Sequence, residues 1–130
     1  MTIKDNNEIR NLFVNKKYKE IIDISSIKGN FDDALSINIL SLSYLNIGNY
    51  EKSISILKEA ISKYGEDISL LNNLGNAYND YGKVDKAIDG YRKAISYNPN
   101  YAKAFLNLAK TQPTLQRISS LIEKGISIRN

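Results

Sequence analysis

Apolar residues recur at helical spacing along the chain, and the recurrence itself repeats. Leu71, Leu74 and Tyr78 fall at i, i+3 and i+7, and Ala87, Tyr91 and Ala94 follow at i, i+4 and i+7. Each set marks one face of a helix. Counting back 34 residues, the same positions are held by Ile37, Leu40 and Tyr44, then Ser53, Leu57 and Ala60. Asn38 and Asn72, Gly48 and Gly82, Ile54 and Ile88, and Ile61 and Ile95 are also 34 apart. A fixed period of this length, with two helical stripes in each copy, predicts a stacked helix–turn–helix unit and no strand.

The punctuation between the stripes agrees. Asp33 and Asp67 stand just before apolar-periodic segments, where an N-cap accepts from the first free amides. Gly48 and Gly82 stand between helices, where a left-handed residue closes the first of each pair. Gly75 and Ala87 are small, which lets the two helices of a pair approach closely. Pro99 ends a helix and extends Asn98.

The flanks carry the pattern outward. Asp5 and Glu8 make a capping-box-like start before Ile9, Leu12 and Phe13. Tyr18, Ile21, Ile22 and Ile24 form a second short stripe. Tyr18-Lys19-Glu20 echoes Tyr50-Glu51-Lys52 at a spacing of 32, so residues 5–28 read as a shortened first repeat. Tyr101 to Lys110 opens another first helix, with Phe105 and Leu108 expected to face inward. Pro113 stops it. Leu115, Ile118, Leu121, Ile122 and Ile126 then form a terminal helix, polar on its other face, suited to capping the stack. The expected organisation is one domain: a shortened repeat at 5–28, repeats at 34–67 and 68–101, and a partial repeat with capping helix at 102–128, eight helices in all.

Residues 71–99 also resemble a known family. Leu71-x2-Leu74-Gly75-x2-Tyr78, Ala87-x3-Tyr91-x2-Ala94 and Pro99 follow the tetratricopeptide pattern W-x2-L-G-x2-Y, A-x3-F, P, with Leu71 for the Trp and Tyr91 for the Phe. Residues 34–67 follow it more loosely, with Ser41 for the Gly and Ser53 for the Ala. The resemblance implies an all-α, right-handed superhelix of about three repeats. Its first helices would line a concave groove used for holding other proteins.

Composition narrows the chemistry. The 130 residues include no His and no Cys. The commonest general base, the nucleophilic thiol and the softest metal ligands are therefore missing. The acidic pairs Asp32-Asp33 and Glu66-Asp67 precede helices, where the dipole favours negative charge. The seven glycines are scattered and form no phosphate loop. No apolar run reaches membrane-spanning length, and the N-terminus lacks signal-peptide character. A non-enzymatic cytoplasmic protein with no cofactor and no metal is the expectation.

The informative constellation is a row of asparagines. The first helix of the 68–101 repeat carries Asn72, Asn73, Asn76 and Asn79, with 72, 76 and 79 on one face. Asn38 precedes Asn72 by 34 residues and Asn107 follows Asn73 by 34, with Lys103 and Lys110 beside it. Asparagine offers donors and an acceptor to an extended peptide backbone, and lysine offers cationic donors to a carboxylate. As exposed polar groups these asparagines would contribute little to the fold. Some tetratricopeptide proteins hold the C-terminal carboxylate of heat-shock chaperones in a Lys/Asn clamp. Laid over residues 34–110, that clamp finds Asn73 and Lys103 in register. It meets Asn38, Leu42 and Asn107 where Lys, Asn and a basic residue are usual.

Charge adds a direction. The net charge is +4, yet residues 92–130 hold seven basic side chains and one acidic, while residues 1–91 hold 11 basic and 13 acidic. The C-terminal third therefore favours an anionic partner. The sequence reads as a protein-interaction module that binds a peptide or protein segment of acidic character. Nucleic-acid binding is the weaker alternative, because no aromatic platform accompanies the dispersed cations. A scaffold acting by self-association, as a homo-oligomer, is the third.

Overall fold

The computed structural model describes residues 5–27 and 31–111. Six helices run in order: α1 (Asn6–Val14), α2 (Tyr18–Ile24), α3 (Ala34–Asn46), α4 (Tyr50–Tyr64), α5 (Ile68–Asp80) and α6 (Val84–Tyr97). A further helix, α7, covers residues 102–111. No strand occurs among the described residues. The capping helix expected at 114–128 lies outside them.

The helix ends form as their residues dictate. The Asp5, Asp33 and Asp67 carboxylates accept from the backbone amides of Glu8, Ser36 and Leu70 at 2.8, 2.8 and 3.1 Å. Asn49 does the same for Lys52. Gly48 and Gly82 take φ of +86° and +91°. In each turn the next amide reaches back across five residues, Asn49 to the Tyr44 carbonyl and Lys83 to the Tyr78 carbonyl. A bond of this kind closes a helix that ends in a left-handed residue. Lys16 closes α1 in the same way, at φ +58°, with Lys17 reaching back to the Leu12 carbonyl. Lys16 precedes Gly48 by 32 residues, the offset of the shortened first repeat.

The helices pair, and the pairs stack. α3 packs on α4 and α5 on α6, while α4 also packs on α5 of the next pair. The first helices stand side by side, with α3 touching both α1 and α5. The second helices α2, α4 and α6 make no close approach to one another. Close first helices and splayed second helices curve the stack, with α1, α3, α5 and α7 on the inner side.

The core runs the length of the stack as linked clusters. Ile9, Ile21, Ile24, Ile39 and Leu40 join the first pair to α3. Leu57, Ala60, Leu70 and Ala77 join the middle pairs, and Leu71, Ala94 and Ala104 reach α7. α3 lies in the middle and is buried on several sides. Its buried hydroxyls are satisfied within the helix, Ser41 donating to the Asn38 carbonyl and Ser43 to the Ile39 carbonyl, each at 2.8 Å.

One packing expectation fails. Phe105 is 45% exposed, and Ala104 is the buried residue of that turn. Leu71, one period earlier, is covered because α6 follows it.

Candidate functional site

The asparagines sit on the inner side, but they face one another as much as solvent. The Asn73 side-chain amide donates to Asn38 Oδ1 at 2.8 Å, joining α5 to α3. The Asn107 amide donates to Asn72 Oδ1 at 3.1 Å, joining α7 to α5. The two bonds form successive rungs, each spanning 35 residues. The rung acceptors are the inner members: Asn38 is 9% and Asn72 3% exposed. A buried amide needs such a partner, since an unmet polar group costs about 1–3 kcal/mol. The donors, Asn73 and Asn107, are half-buried and keep further hydrogen-bonding capacity toward solvent.

Asn76 has a different tie. Its Oδ1 accepts from the Tyr91 hydroxyl at 2.7 Å, bridging the two helices of the pair. Tyr91 is 1% exposed. Burial, with the nearby negative charge of Asp80, pushes its phenol up to about 12, so it remains a donor at any physiological pH. Asn76 is therefore part of the framework as well as of the inner face. Asn79, Lys103 and Lys110 are exposed. Residues 103, 107 and 110 fall at i, i+4 and i+7, so α7 presents Lys103, Asn107 and Lys110 as one stripe.

The structure thus brings Asn38 with Asn73, and Asn72 with Asn107, into contact. Asn76 stays on the same side but is bound to α6. Asn79 lies at the edge, and the two lysines are unpaired among the described residues. The inner face can offer amide donors and acceptors and two cations. No group of three or more acidic, His or Cys side chains converges among the described residues.

Sequence reasoning missed the rungs, although the one-residue offset from 38 to 73 and from 72 to 107 was visible. It also missed Gly90. A Cβ there would meet the Leu71 carbonyl oxygen at 3.1 Å and the Gly75 Cα at 3.2 Å. Gly75 and Gly90 together let α5 and α6 cross at close range. Neither did the sequence reveal that the opposite side of α5 opens into a groove between α4 and α6.

Stacked antiparallel helix pairs of 34-residue period, with small residues at the crossing and a polar inner layer, define a helical-repeat solenoid. Two family models, described as TPR repeat and tetratricopeptide repeat, match residues 75–113 and 34–62 and together cover just over half the chain. The chain belongs to the tetratricopeptide repeat family. Among solved structures it is similar to the second TPR domain of the human RPAP3 protein, determined in complex with the HSP70 peptide SGPTIEEVD. The TM-score is 0.71 at 22% identity, over 82% of this chain and 90% of that one.

Two curated proteins are similar over shorter shares of their length. One is the human Protein O-mannosyl-transferase TMTC1, 28% identical over 78 residues, which is 57% of this chain and 9% of that protein. The other is the Peroxisomal targeting signal receptor of Candida albicans, 27% identical over 103 residues, 79% of this chain and 16% of that protein. The chain thus spans no more than about a sixth of either relative. No helix among the described residues is long and apolar enough to cross a membrane.

Proposed function

We propose that this chain is a protein-interaction module, cytoplasmic and without catalysis of its own, that holds an acidic peptide segment along its inner face. The observation that carries this reading is the stripe of Lys103, Asn107 and Lys110 beside the half-buried Asn73 and Asn76. The hydrogen-bonding capacity that Asn73, Asn76 and Asn107 keep beyond their bonds within the fold would pair with the peptide backbone, with Asn79 at the edge. Lys103 and Lys110 would take its carboxylates. Asn38 and Asn72 would act from beneath, fixing the rotamers of Asn73 and Asn107. Side chains already held in place lose less entropy when a ligand arrives.

The fold likeness supports the reading in kind. The RPAP3 domain is bound to a peptide with three carboxylate side chains, and the Candida relative is named as a targeting-signal receptor. The test is fluorescence anisotropy with labelled SGPTIEEVD, with the same peptide carrying Gln for each acid, and with single-stranded oligouridine. The acidic peptide should bind with a dissociation constant on the order of micromolar, and the Gln peptide far more weakly. Binding of the RNA without binding of the acidic peptide would establish the nucleic-acid alternative instead.

A further inference from the structure

α4 and α6 both pack on α5 yet do not meet each other. Between them lies a groove of about 830 Å³ on the outer side of the stack. Ile61 of α4 and Leu74 and Tyr78 of α5 form its floor, with the buried Leu71 beneath, and this face of α5 is opposite the asparagines. It is a separate surface from the inner face.

Two features show what fits it. The first is shape. Leu71, buried at the base of the groove, stands where the tetratricopeptide pattern has a Trp, whose larger side chain would reach into that space. The walls are helices whose backbone groups are bonded internally and offer an extended peptide nothing to pair with. An occupant must satisfy its own backbone, which means a helix. The second is charge. Lys58 and Arg92 stand on the two rims, on α4 and α6, and neither makes an ion pair among the described residues. Lys86 lies over the Tyr78 ring at 5.5 Å and makes no ion pair among the described residues. Lys93 is neutralised by Glu66 at 2.7 Å, and Asp89 offsets one more cation. The rim keeps an excess of positive charge over an apolar floor.

We propose that this outer groove is a second docking site, and that it takes a short amphipathic helix of a partner protein with an apolar stripe flanked by acidic residues. The chain's own segment 114–128 has the wrong charge for it, with Arg117 and Lys124 against Glu123. The helix would lay its apolar stripe on Ile61, Leu74 and Tyr78 and set its carboxylates against Lys58 and Arg92.

The test uses the full chain and two designed helical peptides sharing one leucine stripe, one flanked by glutamates and the other by lysines. Binding is followed by titration calorimetry. The glutamate peptide should bind and the lysine peptide should not. Leu71→Trp restores the residue of the family pattern and fills the floor. It should weaken the glutamate peptide about tenfold or more while leaving SGPTIEEVD unaffected. Lys58→Glu with Arg92→Glu, both exposed, should weaken it likewise, and the far-UV spectrum should be unchanged. Lys103→Glu should leave it unaffected. The proposal falls if neither peptide binds, if both bind alike, or if Lys103→Glu weakens the glutamate peptide while Leu71→Trp does not. It also falls if sedimentation shows a dimer abolished by Leu71→Trp, since a second copy would then be the occupant.

Discussion

Ser53 occupies the position that Ala87 fills one period later, and the difference is a single buried oxygen. Ser53 is 1% exposed and its hydroxyl has no hydrogen-bond partner among the described residues. Small size is what the crossing demands, and serine meets it at the cost of a desolvated donor. Ser53→Ala should therefore stabilise the protein by about 1 kcal/mol, read as a higher urea midpoint at unchanged slope. Lys16 is the second misfit. It holds a left-handed conformation that Gly48 and Gly82 take without strain. Lys16→Gly should relieve that strain and raise stability by roughly 0.5–1 kcal/mol, after the extra freedom of glycine in the unfolded chain is set against it. Both misfits were open to the sequence once the 34- and 32-residue registers were drawn. The state of the Ser53 hydroxyl was not, since Ser41 and Ser43 find carbonyls in their own helix and Ser53 does not.

At the scale of the helix, the α5–α6 pair is held by a close crossing and one hydrogen bond. A Cβ on Gly75 would lie 2.5 Å from the Tyr91 ring, and that ring is fixed by burial and by Asn76. Gly75→Leu should cost roughly 2–4 kcal/mol, seen as a much lower melting temperature, because ring and backbone would both have to move. The same tyrosine gives the pair a pH limit. Its phenol titrates near 12 in the folded chain, against an ordinary value of about 10 when unfolded. Between those values the unfolded chain has lost a proton that the folded chain keeps. The tyrosine's contribution is whole below pH about 10 and declines as pH rises toward 12. Denaturation measured across that window should show the fall in the parent, and a shallower fall in Tyr91→Phe. The crossing was legible in the glycine and alanine positions. The Tyr91–Asn76 bond was not, because a Tyr in place of the pattern's Phe reveals its hydroxyl's partner only when the two helices are packed.

For the whole molecule, periodicity determined the stacking order, Asp33, Asp67, Gly48 and Gly82 marked the caps, and the family resemblance implied the inner position of the first helices. It did not show which asparagines would be spent on one another. Exposure separates the roles: Asn38 and Asn72 are interior, Asn76 supports Tyr91, and Lys103 and Lys110 are exposed. That separation decides how the inner-face proposal is tested. Asn76→Ala would strand the buried Tyr91 hydroxyl and destabilise the pair, so weaker binding by that variant would not report on contact with a peptide. Lys103 is exposed at the start of α7, and replacing it leaves the core untouched. Lys103→Ala removes one exposed attraction, typically about 0.2–1 kcal/mol, and should weaken an acidic peptide by a few-fold at most. Lys103→Glu adds repulsion to that loss and should weaken it more, by about tenfold. The gap between the two variants should narrow as salt is raised, because exposed charges are screened beyond roughly 8–10 Å at physiological ionic strength. Lys52→Ala, on the outer surface of α4, should change nothing. If Lys52→Ala abolished binding of the acidic peptide while both Lys103 variants bound it as the parent does, the peptide would be on the outer side and the inner-face mechanism would have to be abandoned.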